Sequence, residues 1–223
     1  MERLAMRIRT KQWARPELQA CHYFISNPTN YKNHWQQLFS KEQPIHLDLG
    51  CGKGVLLAEL AYRNPDVNFI GVDISMDMLG VARRNIHQRF GGKTPKNLLL
   101  TSMNIEYCAD AFGKDDGISR IYIYFCNPWS KNRHKKRRLT YPTQLQHYRT
   151  FLPTKGEIHF RTDDNGLFED SLNYFKKSGF PIRFFTYDLP EAESTAEQNI
   201  LSEHELRFRS QGVPIKALIA SVV

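Results

Sequence analysis

The chain has 223 residues, which is long enough to bury a full hydrophobic core. Its formal net charge of +8 and pI near 9.3 favour an anionic partner. Residues 1–13 carry scattered Arg and Lys and no apolar run long enough for a signal peptide or a membrane span, so we expect a cytoplasmic protein without a membrane partner. The cysteines at positions 21, 51, 108 and 126 form no Cys-x-x-Cys pair, and the sequence has no convincing cluster of metal ligands, so we expect reduced thiols and no metal.

The chain is expected to form one domain. No Ser/Gly-rich linker or internal repeat divides it, so residues 1–223 are interpreted as a single domain, with residues 1–40 as a basic N-terminal arm plus a helix. The Arg and Lys residues of positions 1–15 either contact an anionic partner or form a basic tail. The oligomeric state, monomer or homodimer, is left open.

A glycine-rich segment, Asp48–Gly54, follows the first predicted strand. It reads Asp-Leu-Gly-Cys-Gly-Lys-Gly and leads into the helical pattern of residues 55–61. Gly50, Gly52 and Gly54 allow a tight turn and a close approach of ligand to backbone, because glycine lacks a Cβ atom. Dinucleotide sites usually show Gly-x-Gly-x-x-Gly, whereas an acid two residues before Gly-x-Gly-x-Gly favours S-adenosylmethionine.

Two further acids follow the next predicted strands. Asp73 ends the strand over residues 67–73, where a carboxylate can accept hydrogen bonds from both ribose hydroxyls of a nucleoside. Glu106 follows the third strand and is a candidate contact for the adenine amino group. The alternative is an ordinary strand-to-helix turn in which Asp73 only caps the helix predicted over residues 76–89.

The fourth predicted strand leads into Asn127-Pro128-Trp129, where we expect the methyl group to be transferred. Pro128 stiffens this loop, and Trp129 either stacks on a base or packs as an anchor. A basic run follows, with six fixed positive charges and no acid. It favours contact with nucleic acid, although such runs also occur as solvated faces or localisation signals. The run begins at Lys131, and the predicted RNA contacts in it are Arg133, His134, Lys135, Lys136, Arg137 and Arg138.

The predicted elements alternate between strands and helices. Strands are expected at residues 45–49, 67–73, 97–103, 120–126, 156–161, 181–187 and 213–222, and helices at 76–89 and 164–177 among others. This alternation predicts an α/β fold with a doubly wound, mostly parallel, seven-stranded sheet. Ligands bind at the carboxyl ends of such strands, so we expect the glycine segment, the acids, Asn127 and Asp163 to converge on one edge.

The segment from Cys126 to Tyr141 resembles the signature of the bacterial tRNA (guanine-N7)-methyltransferases. The resemblance covers nearly the whole chain, through residues 158–169, 199–205, 6–9 and 25–28. It implies a single methyltransferase domain with the Rossmann-like class I S-adenosylmethionine-dependent methyltransferase fold. It also implies methylation of a guanosine in the tRNA variable loop, with S-adenosyl-L-methionine as cofactor and tRNA as partner. It further implies cofactor contacts at Asp48, Asp73, Glu106 and Asn127, substrate contacts at Lys131, Asp163, Ser202, Glu203, His204 and Glu205, and catalytic roles for Asn127 and Asp163.

Three positions depart from the family pattern. Asn127 stands where the family has Asp. The asparagine amide keeps one acceptor oxygen but lacks the negative charge. If the family's carboxylate acts electrostatically, the loss of this charge costs roughly 1–3 kcal/mol. Ser202 replaces the usual Thr and keeps the hydroxyl, and Asp48 replaces a frequent Glu and keeps the charge. Guanine N7 has an available lone pair, so catalysis by alignment and electrostatics is sufficient.

Asn127 also leaves two alternatives open. Methyltransferases of exocyclic amino groups use Asn or Asp followed by Pro-Pro and an aromatic residue; here the second proline is missing, and an amino group of adenine or another base is the second candidate acceptor. The third interpretation of the function is a catalytically weak paralogue that binds tRNA and S-adenosylmethionine. An NAD-dependent dehydrogenase would share the fold, but neither the glycine spacing nor the basic run fits it.

Overall fold

The computed structural model describes residues 10–189 and 203–223, which build one sheet and its flanking helices. The strands are β1 Phe24–Ile25, β2 Ile45–Leu49, β3 Asn68–Asp73, β4 Leu98–Ser102, β5 Ile118–Tyr124, β6 Glu157–Thr162, β7 Ile182–Thr186 and β8 Lys216–Ser221. The helices are α1 Ala14–Gln19, α2 Val55–Arg63, α3 Met76–Arg89, α4 Cys108–Ala111, α5 Pro142–Arg149, α6 Asn165–Lys177 and α7 Glu203–Ser210. Short 3-10 helices cover Pro28–Tyr31, Trp35–Leu38, Ile105–Tyr107, Lys114–Asp116 and Asn132–Arg137.

The sheet has the strand order β1-β4-β3-β2-β5-β6-β8-β7. All neighbours from β1 to β6 pair in parallel, and β8 runs antiparallel to both β6 and β7. The order reverses between β2 and β5, which is the switch point where ligands bind in doubly wound sheets. The predicted fold class, a doubly wound and mostly parallel Rossmann-like sheet, is therefore confirmed.

The strand count differs from the prediction, because the sheet has eight strands and not seven. The additional strand, β1, has two residues and pairs in parallel with β4, matching Phe24 with Leu100 and Ile25 with Thr101. A two-residue strand is too short to produce a hydrophobic period in the sequence. Its pairing is reinforced by a tertiary contact, since the Thr101 hydroxyl donates to the Ile25 carbonyl oxygen at 2.8 Å.

Strand β5 ends earlier than predicted. The pattern favoured extended chain over residues 120–126, but the strand ends at Tyr124. Phe125 has φ +54°, a left-handed conformation that cannot continue a strand. The apolar residues of this segment fit the pattern of a strand, so the sequence did not indicate the backbone turn at Phe125. That turn begins the loop that carries Asn127.

The core explains why the central strands are apolar along their whole length. Every residue of β2 is buried, because helices pack on both faces of a parallel sheet. Helices α1, α2 and α3 pack together as one group, while α4, α5 and α6 form another, with α6 also against β6, β7 and β8. The helix expected within the N-terminal arm is α1, which packs on α3. In residues 10–189 and 203–223, no helix has the length and apolar character needed to cross a membrane.

Candidate active site

The carboxyl ends of β2 to β6 meet at one edge of the sheet, since these strands are neighbours and run in parallel. The segments that follow these ends carry the predicted site residues. They are the glycine segment after β2, Asp73 at the end of β3, Glu106 after β4, Asn127 after β5 and Asp163 after β6. The topology thus brings five separate chain segments to the switch-point edge.

The glycine segment forms a turn that is anchored to β3. Gly50, Gly52 and Gly54 all have positive φ, at +89°, +54° and +64°. The amides of Gly50 and Cys51 both donate to the Val72 carbonyl oxygen, at 2.8 and 3.0 Å. Because these bonds are made by the backbone, the shape of the turn depends on conformations that only glycine adopts without strain.

Gly54 has an additional steric constraint, and replacing it with Ala is expected to destabilise the protein. A Cβ atom at Gly54 would lie 2.7 Å from the Ala82 Cβ on α3. The left-handed backbone costs an Ala about 1–2 kcal/mol, and the clash adds about 1–3 kcal/mol. Gly91→Ala is the matched control, since Gly91 has φ +59° and no atom within 4 Å of the added Cβ. Thermal unfolding should give a lower melting temperature for Gly54→Ala than for Gly91→Ala; equal values would contradict the steric argument.

Asp48 provides a buried carboxyl group beside this turn. The residue is 3% exposed, and burial, with a smaller contribution from nearby Asp73, raises the pKa of its carboxyl to about 7. A buried acid is stabilised in its charged form by a cation. Asp48 is therefore suited to pair with a positively charged group that enters the site.

Asp73 holds the glycine segment and the start of α3 together. Its Oδ2 accepts from the Gly52 amide at 2.9 Å, and its Oδ1 accepts from the Ser75 amide at 2.8 Å. Burial raises the pKa of Asp73, while these backbone donors act in the opposite direction. The helix cap is a different residue, because the Ser75 side chain accepts from the Met78 amide. Asp73 is therefore not the cap of α3, and its two bonds attach the glycine segment to the start of that helix.

Two neighbouring concavities lie at this edge. The first is lined by Asp48, the glycine segment, Met78, Tyr124 and Phe125. The second, of about 380 Å³, is lined by residues that include Ile74, Glu106, Trp129 and Arg137. Asp73 lines neither of them but is next to both walls, since it bonds to Gly52 in the wall of the first and directly precedes Ile74 in the wall of the second.

Sequence reasoning missed several residues that line the first concavity, among them Met78, Tyr124 and Phe125. The sequence places Tyr124 and Phe125 only in a predicted strand, and Met78 only within the helix predicted over residues 76–89. The position of Tyr124 at the end of a central strand was a usable signal, because side chains there face the ligand edge. Met78 had no such signal, since its place depends on how α3 packs against the glycine segment.

The loop after β5, here called the acceptor loop and comprising Phe125–Trp129, has an unusual backbone. Phe125 and Trp129 have φ +54° and +43°. A bulky residue in this region is strained by about 1–3 kcal/mol and persists only when its surroundings hold it. Asn127 is exposed, and its Oδ1 accepts from the Trp129 amide at 3.1 Å, which closes the loop locally. The Trp129 ring makes an edge contact with His134 at 5.7 Å between centroids and lies 5.2 Å from the Arg137 guanidinium carbon.

The basic run separates into two groups with different environments. Lys131, Arg133, Lys136 and Arg137 are exposed, whereas Arg138 is 3% exposed. Arg138 and Lys135 both pair with Asp170 of α6, at 2.6 and 2.7 Å. The pKa of the half-buried His134 is lowered, first by burial and then by the neighbouring Arg133 and Arg137. The run is therefore part solvated basic surface and part ion pair within the fold.

Asp163 lies between β6 and α6, a position where an acidic residue often caps the following helix. The cap of α6 is its neighbour Asp164, whose Oδ1 accepts from the Leu167 amide at 2.7 Å. Capping therefore does not explain Asp163, whose backbone carbonyl accepts from the Lys216 ammonium at 3.1 Å.

The structure describes only part of the segment over residues 202–205 that is predicted to bind the substrate. Ser202, like residues 1–9, lies outside the described residues, as do the side chains of Glu203 and His204. Glu205 on α7 is fully buried, and its Oε1 accepts from the Arg161 guanidinium of β6 at 2.5 Å. Arg161 also lies over the Tyr124 ring at 4.5 Å, so Glu205 is connected to the first concavity.

The cysteines and the other possible metal ligands add no further site. Cys21, Cys51, Cys108 and Cys126 are free thiols. Within residues 10–189 and 203–223, no three His, Cys, Asp or Glu side chains gather closely enough to hold a metal ion.

The chain is similar to known methyltransferases. A family model described as "Putative methyltransferase" matches residues 42–218. A tRNA (guanine-N(7)-)-methyltransferase of Clostridium beijerinckii is 49% identical, over 96% of this chain and 98% of that relative. One of Clostridium tetani is 44% identical, over 97% and 100%. The solved 16S rRNA methyltransferase KamB aligns with a TM-score of 0.60 and 14% identity, over 85% of this chain and 92% of its own; that likeness shows the fold alone.

Proposed function

Because this chain belongs to the tRNA (guanine-N7)-methyltransferase family, we propose that its acceptor is a guanosine in the tRNA variable loop and that the residues at the switch-point edge form its site. The reaction is the S-adenosylmethionine-dependent methylation of guanine N7 in tRNA. The observation that supports the site assignment best is the pair of concavities on either side of Asp73, since a nucleoside carrying an amino acid needs two such compartments.

The residues of the first concavity suit the amino-acid end of S-adenosylmethionine. Gly50, Gly52 and Gly54 leave room for a ligand against the backbone, and the buried Asp48 offers a partner for its ammonium group. When bound, this cofactor supplies a methyl group on a positively charged sulfur. Asp73 is assigned to the ribose hydroxyls and Glu106 to the adenine, because Glu106 lines the second concavity.

The acceptor side is assigned to the next two strand ends. Asn127 in the acceptor loop is assigned to the base, and Lys131, Asp163 and the segment Ser202–Glu205 are assigned to the substrate. Within that segment the buried Glu205 acts through its ion pair with Arg161 and not by direct contact. The exposed Arg133, Lys136 and Arg137, with His134, provide a basic surface for tRNA phosphates. Guanine N7 carries no proton, so these residues need only orient the base and exclude water while the methyl group is transferred.

The test is methyl transfer from radiolabelled S-adenosylmethionine to unmodified tRNA, followed by nucleoside mass spectrometry. We expect 7-methylguanosine, with the modified position mapped to the variable loop. Methyladenosine would instead support the amino-group alternative, and cofactor binding without product would support the weak paralogue. A modified guanosine outside the variable loop would contradict only the position proposed here.

Asn127→Asp is expected to raise turnover about tenfold to a hundredfold, because the restored carboxylate offsets the positive charge that develops on the methylated ring, an interaction of roughly 1–3 kcal/mol. The bond from the Trp129 amide is retained, since an aspartate oxygen can accept it equally. The measurement is single-turnover kinetics with saturating cofactor. Asn173→Asp, at an exposed position of α6, makes the same change of charge away from the site and should leave the rate unchanged. A lower rate for Asn127→Asp would show that the asparagine serves the present chemistry.

A further inference from the structure

The acceptor loop needs external support, because residues at both of its ends have positive φ. At its beginning, the Phe125 amide donates to the Arg161 carbonyl oxygen at 2.9 Å, and the Phe125 ring stacks on Phe208 at 5.8 Å. At its other end, the bond between the Trp129 amide and Asn127 is internal to the loop. The middle of the loop is held by a residue that comes ten positions later.

That residue is Arg138. Its Nε donates to the Pro128 carbonyl oxygen at 2.7 Å, and its Nη1 donates to the Asp170 carboxylate at 2.6 Å. One guanidinium therefore bridges the acceptor loop and α6. Its side chain is 2% exposed, so RNA phosphates have almost no access to it in this arrangement.

Asp170 is well placed to fix this guanidinium. Although partial burial acts to raise the pKa of Asp170, Lys135 and Arg138 lower it below its usual value, so the carboxylate is charged at neutral pH. The backbone beyond Arg138 is also attached to α6, since the Thr140 and Ser171 hydroxyls lie 2.7 Å apart and the Tyr141 and Tyr174 rings are in edge contact. The bridge thus has a rigid base on the helix that follows Asp163.

We propose that Arg138 and Asp170 are positioning residues for methyl transfer: the guanidinium, oriented by Asp170, holds the Pro128 carbonyl and so sets the position of Asn127 and Trp129 relative to the segment that carries Asp163. Arg138 then acts on the reaction through the acceptor loop and not as a contact to RNA. This inference rests on the proposed function for its kinetic readout, while the loop geometry it describes does not.

Two substitutions of Arg138 separate positioning from RNA contact. Arg138→Lys keeps the charge but loses the planar fork that reaches both partners. We expect turnover at saturating tRNA to fall on the order of tenfold to a hundredfold in Arg138→Lys, since small displacements in a site have effects of this size. Arg138→Gln should give a similar loss, yet keep the wild-type slope of log affinity for tRNA against log salt. Arg137→Gln, at an exposed position, should instead reduce that slope by about 0.7–0.9.

Asp170→Asn provides a variant outside the basic run. We expect a lower turnover number and no loss of tRNA affinity, because neither Lys135 nor Arg138 is removed. If Arg138→Gln does not fold, this variant and Arg138→Lys carry the test. Wild-type turnover in Arg138→Lys, or a salt slope reduced by about one in Arg138→Gln, would overturn the proposal in favour of an RNA contact.

Hydrogen exchange tests the same proposal without the reaction. The Trp129 amide is bonded within the acceptor loop, so loss of the support at Pro128 should speed its exchange about tenfold in Arg138→Lys and Asp170→Asn. Unchanged exchange would contradict positioning, even if the wild-type protein proved to modify a different base. If the wild type forms no 7-methylguanosine while Arg138→Lys and Asp170→Asn still exchange faster than the wild type, only the proposed function is overturned.

Discussion

Asp73→Ala is expected to reduce affinity for S-adenosylmethionine by about a hundredfold to ten-thousandfold. Hydrogen bonds to a charged carboxylate contribute roughly 1.5–3 kcal/mol each, and the ribose diol would make two of them. The substitution also removes the bonds from the Gly52 and Ser75 amides, so the glycine segment loses its attachment to the start of α3. Isothermal titration of the cofactor measures the effect directly.

Asp66→Ala is the matched control for this experiment. Asp66 is an exposed acid that lies just before β3, at the opposite edge of the sheet from Asp73. We expect its removal to leave cofactor affinity unchanged. If Asp73→Ala bound the cofactor as tightly as Asp66→Ala, Asp73 would be only a structural tie for the glycine segment and its assignment to the ribose would be wrong.

Glu205→Gln is expected to cause the largest loss of stability. The change leaves the Arg161 guanidinium buried beside a neutral amide, and removing one partner of a buried ion pair costs about 3–5 kcal/mol. For a chain of this length, that loss corresponds to a decrease in melting temperature of roughly 6–20 °C. Calorimetry of the purified protein gives the value.

Two further variants decide what Glu205 does. Arg183→Gln removes the cation of an ion pair whose Arg side chain is 61% exposed, so it should cost less than about 1 kcal/mol. The double variant Arg161→Met with Glu205→Leu should recover much of the stability, since apolar residues can replace a buried pair. If Glu205→Gln keeps the wild-type melting temperature but loses tRNA turnover, Glu205 acts on the substrate and its ion pair is not what stabilises α7.

Both the ion pair of Glu205 and the bridge of Arg138 show how charged residues near the site can serve its geometry. Each of the two arginines is 3% exposed, and each joins an element of the sheet edge to a helix. Burial of a charge is tolerated only when partners compensate the lost hydration. The acids that provide this compensation, Asp170 and Glu205, therefore fix where the acceptor loop and α7 lie.

The sequence by itself determined the features that depend on local backbone chemistry. The glycine segment was predictable because Gly50, Gly52 and Gly54 take conformations that other residues avoid, and the alternating strands and helices determined the parallel sheet. Given the sheet, the convergence of Asp73, Asn127 and the other strand-end residues follows, since parallel strands end at one edge.

Only the tertiary structure decided which charged residues face solvent and which support the site. Arg137 and Arg138 are neighbours in the same basic run, but one is exposed and the other bonds to an acid 32 residues away. Glu205 bonds to an arginine 44 residues away. Such pairs leave no period or local pattern in the chain, because they arise where α6 and α7 pack against the sheet edge. For the same reason, the left-handed turns at Phe125 and Trp129 could not be predicted, since these residues adopt them only under the support of distant contacts.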